Sequence, residues 1–545
     1  MNRITRGGLF ALLLTPLFCV TTSAAATYTA ASCNRTDVDA VINGPRHVAV
    51  NGDTILIPAG TCTWTSGITV PRGIGITIRG AGTPSAAADT RGADVSCTAT
   101  VITDSVTGGT YPFLFQPTAT SATSRLSCLK ITVGAVAAES LMSPVVAVGT
   151  CNASTCPNVR IDNVLFDGSL GGKLSSTSGY GVIATNNVFG VIDHNTISNV
   201  STSALSLIQY GHRVYLGIGD YGDNSWAQPN SYGTANAIYV ENNLLGENTW
   251  FGETEAIMPG GVTAGGRIAA RFNTCTGCLS GLSNHGTESS GRTRGGRQIE
   301  FYGNSVICGN TGGCQGVVPI RSGTSITFGN TINNRESPAH TWWNQYVAFS
   351  IYRIDLFTTT APWLQCPGAY DQTSPVICLD QPNRSGGTYL SGATPSPTGW
   401  SNQVLDPAYE WDDSGYTPVF GNVYPTSYGA YLQANRDWYT DNSLGTPHAQ
   451  TSTTSPFNGT TGVGFGPIAR RPDTCSAGVG YWATDEGGWN TSAQTYVGGY
   501  TQGRLYTCTA TNTWTLYYTP YAYPHPLTGG SASVQPPANV LIIRD

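Results

Sequence analysis

The chain has 545 residues, with 67 Gly, 31 Pro and only 11% charged side chains, against about 25% in an ordinary globular protein. Two lysines and ten glutamates leave few strong helix formers, so the composition points to strands and turns. A formal charge of −6 supplies neither the basic surplus needed for nucleic acid nor the charge density of a disordered acidic chain, while a hydrophobic fraction of 40% with 27 Tyr and 12 Trp is ample for a core.

At the N-terminus Arg3 and Arg6 precede an apolar run from Leu9 to Val20 and small residues ending near Ala24 to Ala26, the pattern of a secretory signal peptide over residues 1–26. The run is too short for a bilayer span, no later stretch reaches the roughly 20 apolar residues required, and Pro16, Leu17 and Phe18 are too bulky for a lipoprotein cleavage site before Cys19. The mature chain is therefore expected to be secreted, extracellular or periplasmic. Removing Cys19 from the 15 cysteines leaves an even number, as expected of disulfides in an oxidising compartment. Proximity pairs Cys33 with Cys62, Cys151 with Cys156, Cys308 with Cys314, Cys366 with Cys378 and Cys475 with Cys508. The CxxC at Cys275 and Cys278 lacks a second ligand pair for zinc and reads as a structural bridge.

The mature N-terminus opens with a short amphipathic segment, TDVDAVINGP, which Thr36 is placed to cap. Past residue 150 one pattern recurs: a short β-branched strand, an Asn, then another apolar pair. The asparagines are Asn163, Asn195, Asn243, Asn273, Asn304 and Asn330, a period of about thirty residues with one longer insertion. Stacked strands about 4.8 Å apart would place the same turn residue in every rung. Asn suits such a turn because it tolerates left-handed backbone angles and its amide can bond along a ladder. A β-sandwich, the alternative, has no reason to keep this repeat. The fold expected is all-β, a right-handed parallel β-helix.

The segments SCNRTDVDAV (32–41), GDTILIPAGT (52–61) and ITIRGAG (76–82) resemble the start of secreted right-handed parallel β-helix proteins of the pectate-lyase-like superfamily. The resemblance covers roughly residues 30 to 355 and implies that the first element caps the open end of the coil. The expected organisation is a signal peptide (1–26), the capped β-helix (27–355), a loop-rich continuation covering it (356–470) and an aromatic, β-rich C-terminal segment (471–545). The last is either a small carbohydrate-binding module or a cover for the coil. Residues 209–236 and 276–297 are long and polar, and read as loops projecting from one side.

A coil face flanked by loops forms a groove, and grooves with exposed aromatic rings suit sugar chains, so polysaccharide is the expected partner. The residues two before successive ladder asparagines place Asp193, Glu241 and Arg271 on adjacent rungs. Two carboxylates one rung apart fit a calcium site, the one cofactor expected, or the pair of a retaining glycosidase, while Arg271 would grip an acidic sugar. A plain charge ladder is the other reading. A second cluster comprises His285, Glu288, Arg292, Arg294, Arg297 and Glu300, with Arg321 following. Histidine beside several arginines can bind a sugar carboxylate and deprotonate the neighbouring carbon, as β-elimination demands. The roles expected are His285 as base or acid, Arg294 and Arg321 on the carboxylate, and Glu288 or Glu300 in support. Arg292, Arg297, His212 and Trp226 would hold substrate. His194 reads equally as a rung histidine.

Pectin hydrolases of this fold carry Asn-Thr-Asp, Gly-His-Gly and Arg-Ile-Lys motifs, and none is intact here. IDHN (192–195) resembles the aspartate-bearing strand of pectate lyases, and VPIRSGTSITFGNTI (318–332) resembles the Arg-His-Gly strand of the chondroitinase B and alginate lyase group, with Ser322 in place of His. The expected function is an exported enzyme cleaving an anionic polysaccharide by β-elimination; a β-helix glycoside hydrolase and a non-catalytic glycan-binding adhesin are the alternatives. No organic cofactor motif is present.

Overall fold

The computed structural model describes residues 25–84, 90–107, 110–133, 144–149, 156–170, 182–186, 188–199, 208–211, 225–226, 229–246, 250–253, 265–278, 280–283, 296–308, 318–320, 322–333, 347–349, 383–386, 403–414, 433–441 and 457–529. The chain forms a right-handed parallel β-helix. Each rung contributes three short strands: Val188–Asp193, Thr196–Ser198 and Ile208–Gly211 in one, then Ile238–Glu241, Leu244–Leu245 and Trp250–Glu253, then Arg267–Arg271, Thr274–Cys278 and Ser280–Ser283. The first two strands of these rungs share one parallel sheet, which has 19 strands among the described residues, and the third joins a seven-stranded sheet. Ser280–Ser283 is thus a rung strand, although its sequence reads as loop.

Parallel stacking puts like positions in columns. Ile161, Ile192, Val240, Ala270 and Phe301 are in register and fully or almost fully buried, and they line the interior. The strands Val188–Asp193, Ile238–Glu241 and Arg267–Arg271 are buried at every position, because both faces of the sheet are covered.

The corner between the first two strands is built from two residues with separate jobs. His194, Asn242, Phe272, Gly303 and Gly329 take left-handed backbone angles, with φ of 53, 57, 55, 65 and 64°. The next residues, Asn195, Asn243, Asn273, Asn304 and Asn330, form the amide ladder, each Nδ2 donating to the following Oδ1 at 2.9 to 3.0 Å. Asn163 is no member of it. It has φ 54°, and Val164 stands at the ladder position, donating its N–H to Asn195 Oδ1.

The ladder ends on Asp413, whose Oδ1 accepts from Asn330 Nδ2 at 2.9 Å. The coil correspondingly runs beyond residue 355: Ala408–Trp411 and Trp438–Thr440 continue the large sheet in parallel register.

At the other end, the helix Arg35–Ile42 buries Val38, Val41 and Ile42. Asn34 rather than Thr36 is its N-cap residue, and Ser32 Oγ donates to Asp37 Oδ2 at 2.6 Å. Cys33–Cys62 and Cys475–Cys508 are bonded as expected, Cys97–Cys128 forms a bridge that proximity did not suggest, and Cys275 is disulfide-bonded. No helix among the described residues is long and apolar enough to cross a membrane. The expected signal peptide through residue 24 and the cysteines at 151, 314, 366 and 378 lie outside the described residues.

The C-terminal segment makes a four-stranded sheet from Val463–Gly466, Gly480–Ala483, Arg504–Ala510 and Thr513–Tyr518. It packs on the coil through Trp482, Trp489, Tyr496, Tyr518 and Tyr523 against Phe272, Tyr302, Phe328 and Trp411.

Candidate functional site

One outward column of the large sheet decides where chemistry can occur. In register it reads Asp162, Asp193, Glu241, Arg271, Tyr302, Phe328 and Trp411. Asp193, Glu241 and Arg271 therefore do stand on adjacent rungs, but every oxygen of both carboxylates already has a hydrogen-bonding partner within the protein. Glu241 accepts from Arg271 Nε at 2.8 Å and, through its other oxygen, from the His525 N–H at 2.8 Å. Asp193 accepts from Arg160 Nε and Nη2 at 2.9 and 2.8 Å and faces His194 Nδ1 at 2.8 Å. Among the described residues no group of three or more His, Cys, Asp or Glu side chains is arranged to hold a metal.

The rest of that column is covered by the chain itself. Residues 518–529 run back along the sheet as a strap. Tyr518 Oη donates to Glu300 Oε2 at 2.6 Å, Arg271 donates to the carbonyls of Tyr521 and Ala522 at 2.6 and 2.8 Å, and Tyr523 Oη donates to Asn242 Oδ1 at 2.7 Å. Arg160 Nη1 then donates to the Leu527 carbonyl at 2.9 Å. Arg271 and Glu300 are 0% exposed beneath this strap, so neither grips sugar nor supports a base. Burial raises the Glu300 carboxyl to about 7 against the lowering pull of Tyr518, Gly233 and Arg271. Arg297 and Trp226 are also 0% exposed, with the guanidinium 5.1 Å from the indole ring centre, and present no surface to substrate. His212, His285, Glu288, Arg292, Arg294 and Arg321 lie outside the described residues.

Beside Thr528 and Gly529, the last described residues of the strap, lies a cleft of about 540 Å³, within the usual range for ligand sites. Its lining includes Arg79, Arg125, Arg160, Asp162, His194 and, from the strap, Thr528 and Gly529. The arginines come from successive rungs, because Thr77 to Arg79 pairs with Arg125 to Ser127 and Arg125 pairs with Arg160. Arg125 clamps Asp162 with Nε and Nη2, both at 2.6 Å, and Arg160 clamps Asp193 in the same way one rung on. Arg79 differs. Its guanidinium donates to the Gly82 carbonyl at 2.5 Å and has no carboxylate partner among the described residues.

His194 completes the cleft. It sits at the left-handed corner position, where His is tolerated better than most side chains, and is 6% exposed. Burial opposes charging the ring, but the hydrogen bond and charge of Asp193, assisted by Glu241, outweigh it and raise His194 above its usual 6.5. Asp193 stays ionised: burial alone would protonate it, and Arg160 with His194 overrides that. An ionised acceptor at Nδ1 places the proton of the neutral imidazole there, leaving Nε2 as the basic nitrogen. That Nε2 is buried and has no hydrogen-bond partner, an arrangement that costs about 1–3 kcal/mol unless a ligand or water completes it.

No protein-family model matches the chain, and no curated protein matches it. Among solved structures it is similar to an alginate lyase from Paenibacillus sp. str. FPU-7, at 16% identity and a TM-score of 0.31, over 56% of this chain and 95% of that one.

The sequence reading left His194 as one of two equal possibilities and did not single out Arg79, Arg125 or Arg160. The available signal was IDHN itself. A histidine between an aspartate and a ladder asparagine occupies the corner, where its ring turns back onto the preceding carboxylate.

Proposed function

We propose that the chain is an exported enzyme that cleaves an anionic polysaccharide by β-elimination in the cleft between Arg79 and His194. The observation that carries this reading is the Asp193-bound His194, a cleft residue whose Nε2 lacks a hydrogen-bond partner, together with Arg79, which has no carboxylate partner among the described residues. Arg79 pairs with the uronate carboxylate and stabilises the negative charge that develops when the neighbouring carbon loses its proton. His194 Nε2 takes that proton. The electron pair forms the carbon–carbon double bond and expels the glycosidic oxygen, which collects a proton from the imidazolium or from water. The described disulfides fit the oxidising compartment that an exported enzyme meets.

The pair Asp193 and Glu241, on which a hydrolase would depend, is committed to Arg160 and Arg271, so elimination is favoured over hydrolysis. The test is incubation of the mature protein with acidic and neutral polysaccharides, reading both the ultraviolet absorbance of unsaturated uronates and new reducing ends. Both signals should rise with an acidic polymer. His194→Ala should lower the rate at least 100-fold, the ordinary contribution of a general base, with unchanged circular dichroism, whereas loss confined to His285→Ala would move the site to the loop named from sequence. Reducing ends without absorbance would establish a hydrolase, and binding without either signal would establish an adhesin.

A further inference from the structure

We propose, resting on the reading above, that the cleft takes the end of a polysaccharide chain and releases short products from it. A β-helix can offer a polymer a groove along its whole outer face. Here most of that face is occupied. From Glu300 to Arg160 the strap lies on the sheet, fixed by Tyr518, Tyr523 and His525 and by the carbonyls of Tyr521, Ala522 and Leu527.

Ring packing seals it further. Tyr521 and His525 each pack tilted at 5.2 Å from Tyr239, and Tyr523 lies 4.3 Å from Phe272. The last described residues of the strap form the turn Pro526–Thr528, in which Thr528 Oγ1 donates to the His525 carbonyl at 2.7 Å and Gly529 takes φ 86°. Thr528 and Gly529 stand as a wall of the cleft.

The position of the base relative to that wall sets the product. Asp193, which holds His194, is also held by Arg160, the residue that anchors Leu527. The base therefore stands one rung from the residue that anchors the wall. Arg79, on the side away from the wall, holds the carboxylate of the reacting sugar, and the longer part of the substrate continues past it. Few sugar units fit between the scissile bond and Thr528, so cleavage trims a terminus. The strap is thus a determinant of substrate mode as well as a cover.

The experiment follows the first minutes of digestion of alginate and of polygalacturonate by the full mature chain, recording viscosity, absorbance and product size together. The expected result is short oligosaccharides from the onset, with viscosity falling slowly relative to absorbance. Long early products with rapid loss of viscosity, in a reaction abolished by His194→Ala, overturn this inference and leave the proposed chemistry standing. Absence of cleavage of any acidic polymer takes down both. A variant ending at His525 should shift early products to longer chains; should it fail to fold, the product pattern of the intact chain still decides.

Discussion

Two stretches of a single outward column have opposite fates. From Asp162 to Asp193 the column is charged, its carboxylates clamped by arginines one rung back, and the cleft lies beside it. From Tyr302 to Trp411 the same backbone positions carry aromatic rings. Tyr302 and Phe328 are 4.6 Å apart at an interplanar angle of 6°, and Phe328 and Trp411 are 4.7 Å apart at 3°. Those separations reproduce the rung spacing of about 4.8 Å, so the ladder holds its rings face to face. Left bare, these rings would form a contiguous apolar patch. The C-terminal sheet covers them instead, with Trp482 4.7 Å from Phe328 and 4.9 Å from Trp411. The coil backbone makes no distinction between the two stretches. Side chains at one position in each rung decide which is covered and which is free to do chemistry.

Glu241 and Arg271 form the boundary, and the largest effect is expected there. Arg271→Ala removes the ion-pair partner of a fully buried carboxylate and frees two strap carbonyls. Breaking such a pair from one side costs about 3–5 kcal/mol, measurable as a fall in the denaturant midpoint. Arg125→Ala should cost much less, because its guanidinium is 31% exposed and Ser127, Asn163 and Arg160 still surround Asp162. Equal losses at the two positions would erase the distinction between covered and open stretches.

The corner ladder is shared by both stretches and gives a middle-sized effect. Asn273→Ala leaves the Asn243 N–H without its acceptor at 2.9 Å and deprives the Val240 and Arg271 carbonyls of a donor. One buried unsatisfied group costs about 1–3 kcal/mol, again read from denaturant unfolding. Asn273→Asp should recover part of the loss, since it restores the acceptor, as Asp413 supplies it at the end of the ladder.

Sequence reading recovered the coil because the repeat is a property of backbone stacking. The ladder asparagines Asn195 to Asn330 and the shared column of Asp193 and Glu241 both follow from strand register. Asn163 was misassigned because asparagine suits either corner position, and only the bond from Val164 N–H to Asn195 shows which one it fills. The last rungs were missed because aspartate replaces asparagine at Asp413. The covered site was illegible for a different reason. The strap residues lie 218 positions from Glu300 and 284 from Glu241, and no local pattern reports a contact of that range. A charged residue in a rung therefore looked like a groove residue, whether or not the chain later returned to bury it.

The subtlest test concerns that burial. Glu300 has its carboxyl raised to about 7, against 4.5 for the free group, because burial disfavours its charge more than Tyr518, Gly233 and Arg271 favour it. Between those values the folded protein binds more protons at this site than the unfolded chain does. The contribution of Glu300 is thus fully present below about 4.5 and is lost as the pH rises through about 7, with a slope of at most about 1.4 kcal/mol per pH unit. Glu300→Gln keeps an oxygen for the Gly233 N–H and cannot ionise. Plotted against pH, the unfolding free energy of wild type minus that of Glu300→Gln should fall across this window and level off above it. His525, which burial and Arg271 lower to about 3, acts in the opposite direction. Its folded pKa lies below 6.5, so its contribution grows with pH over about 3 to 6.5 and appears equally in both proteins. The difference curve removes it. A flat difference would mean that water reaches Glu300, and that the strap does not seal the covered stretch from the open one.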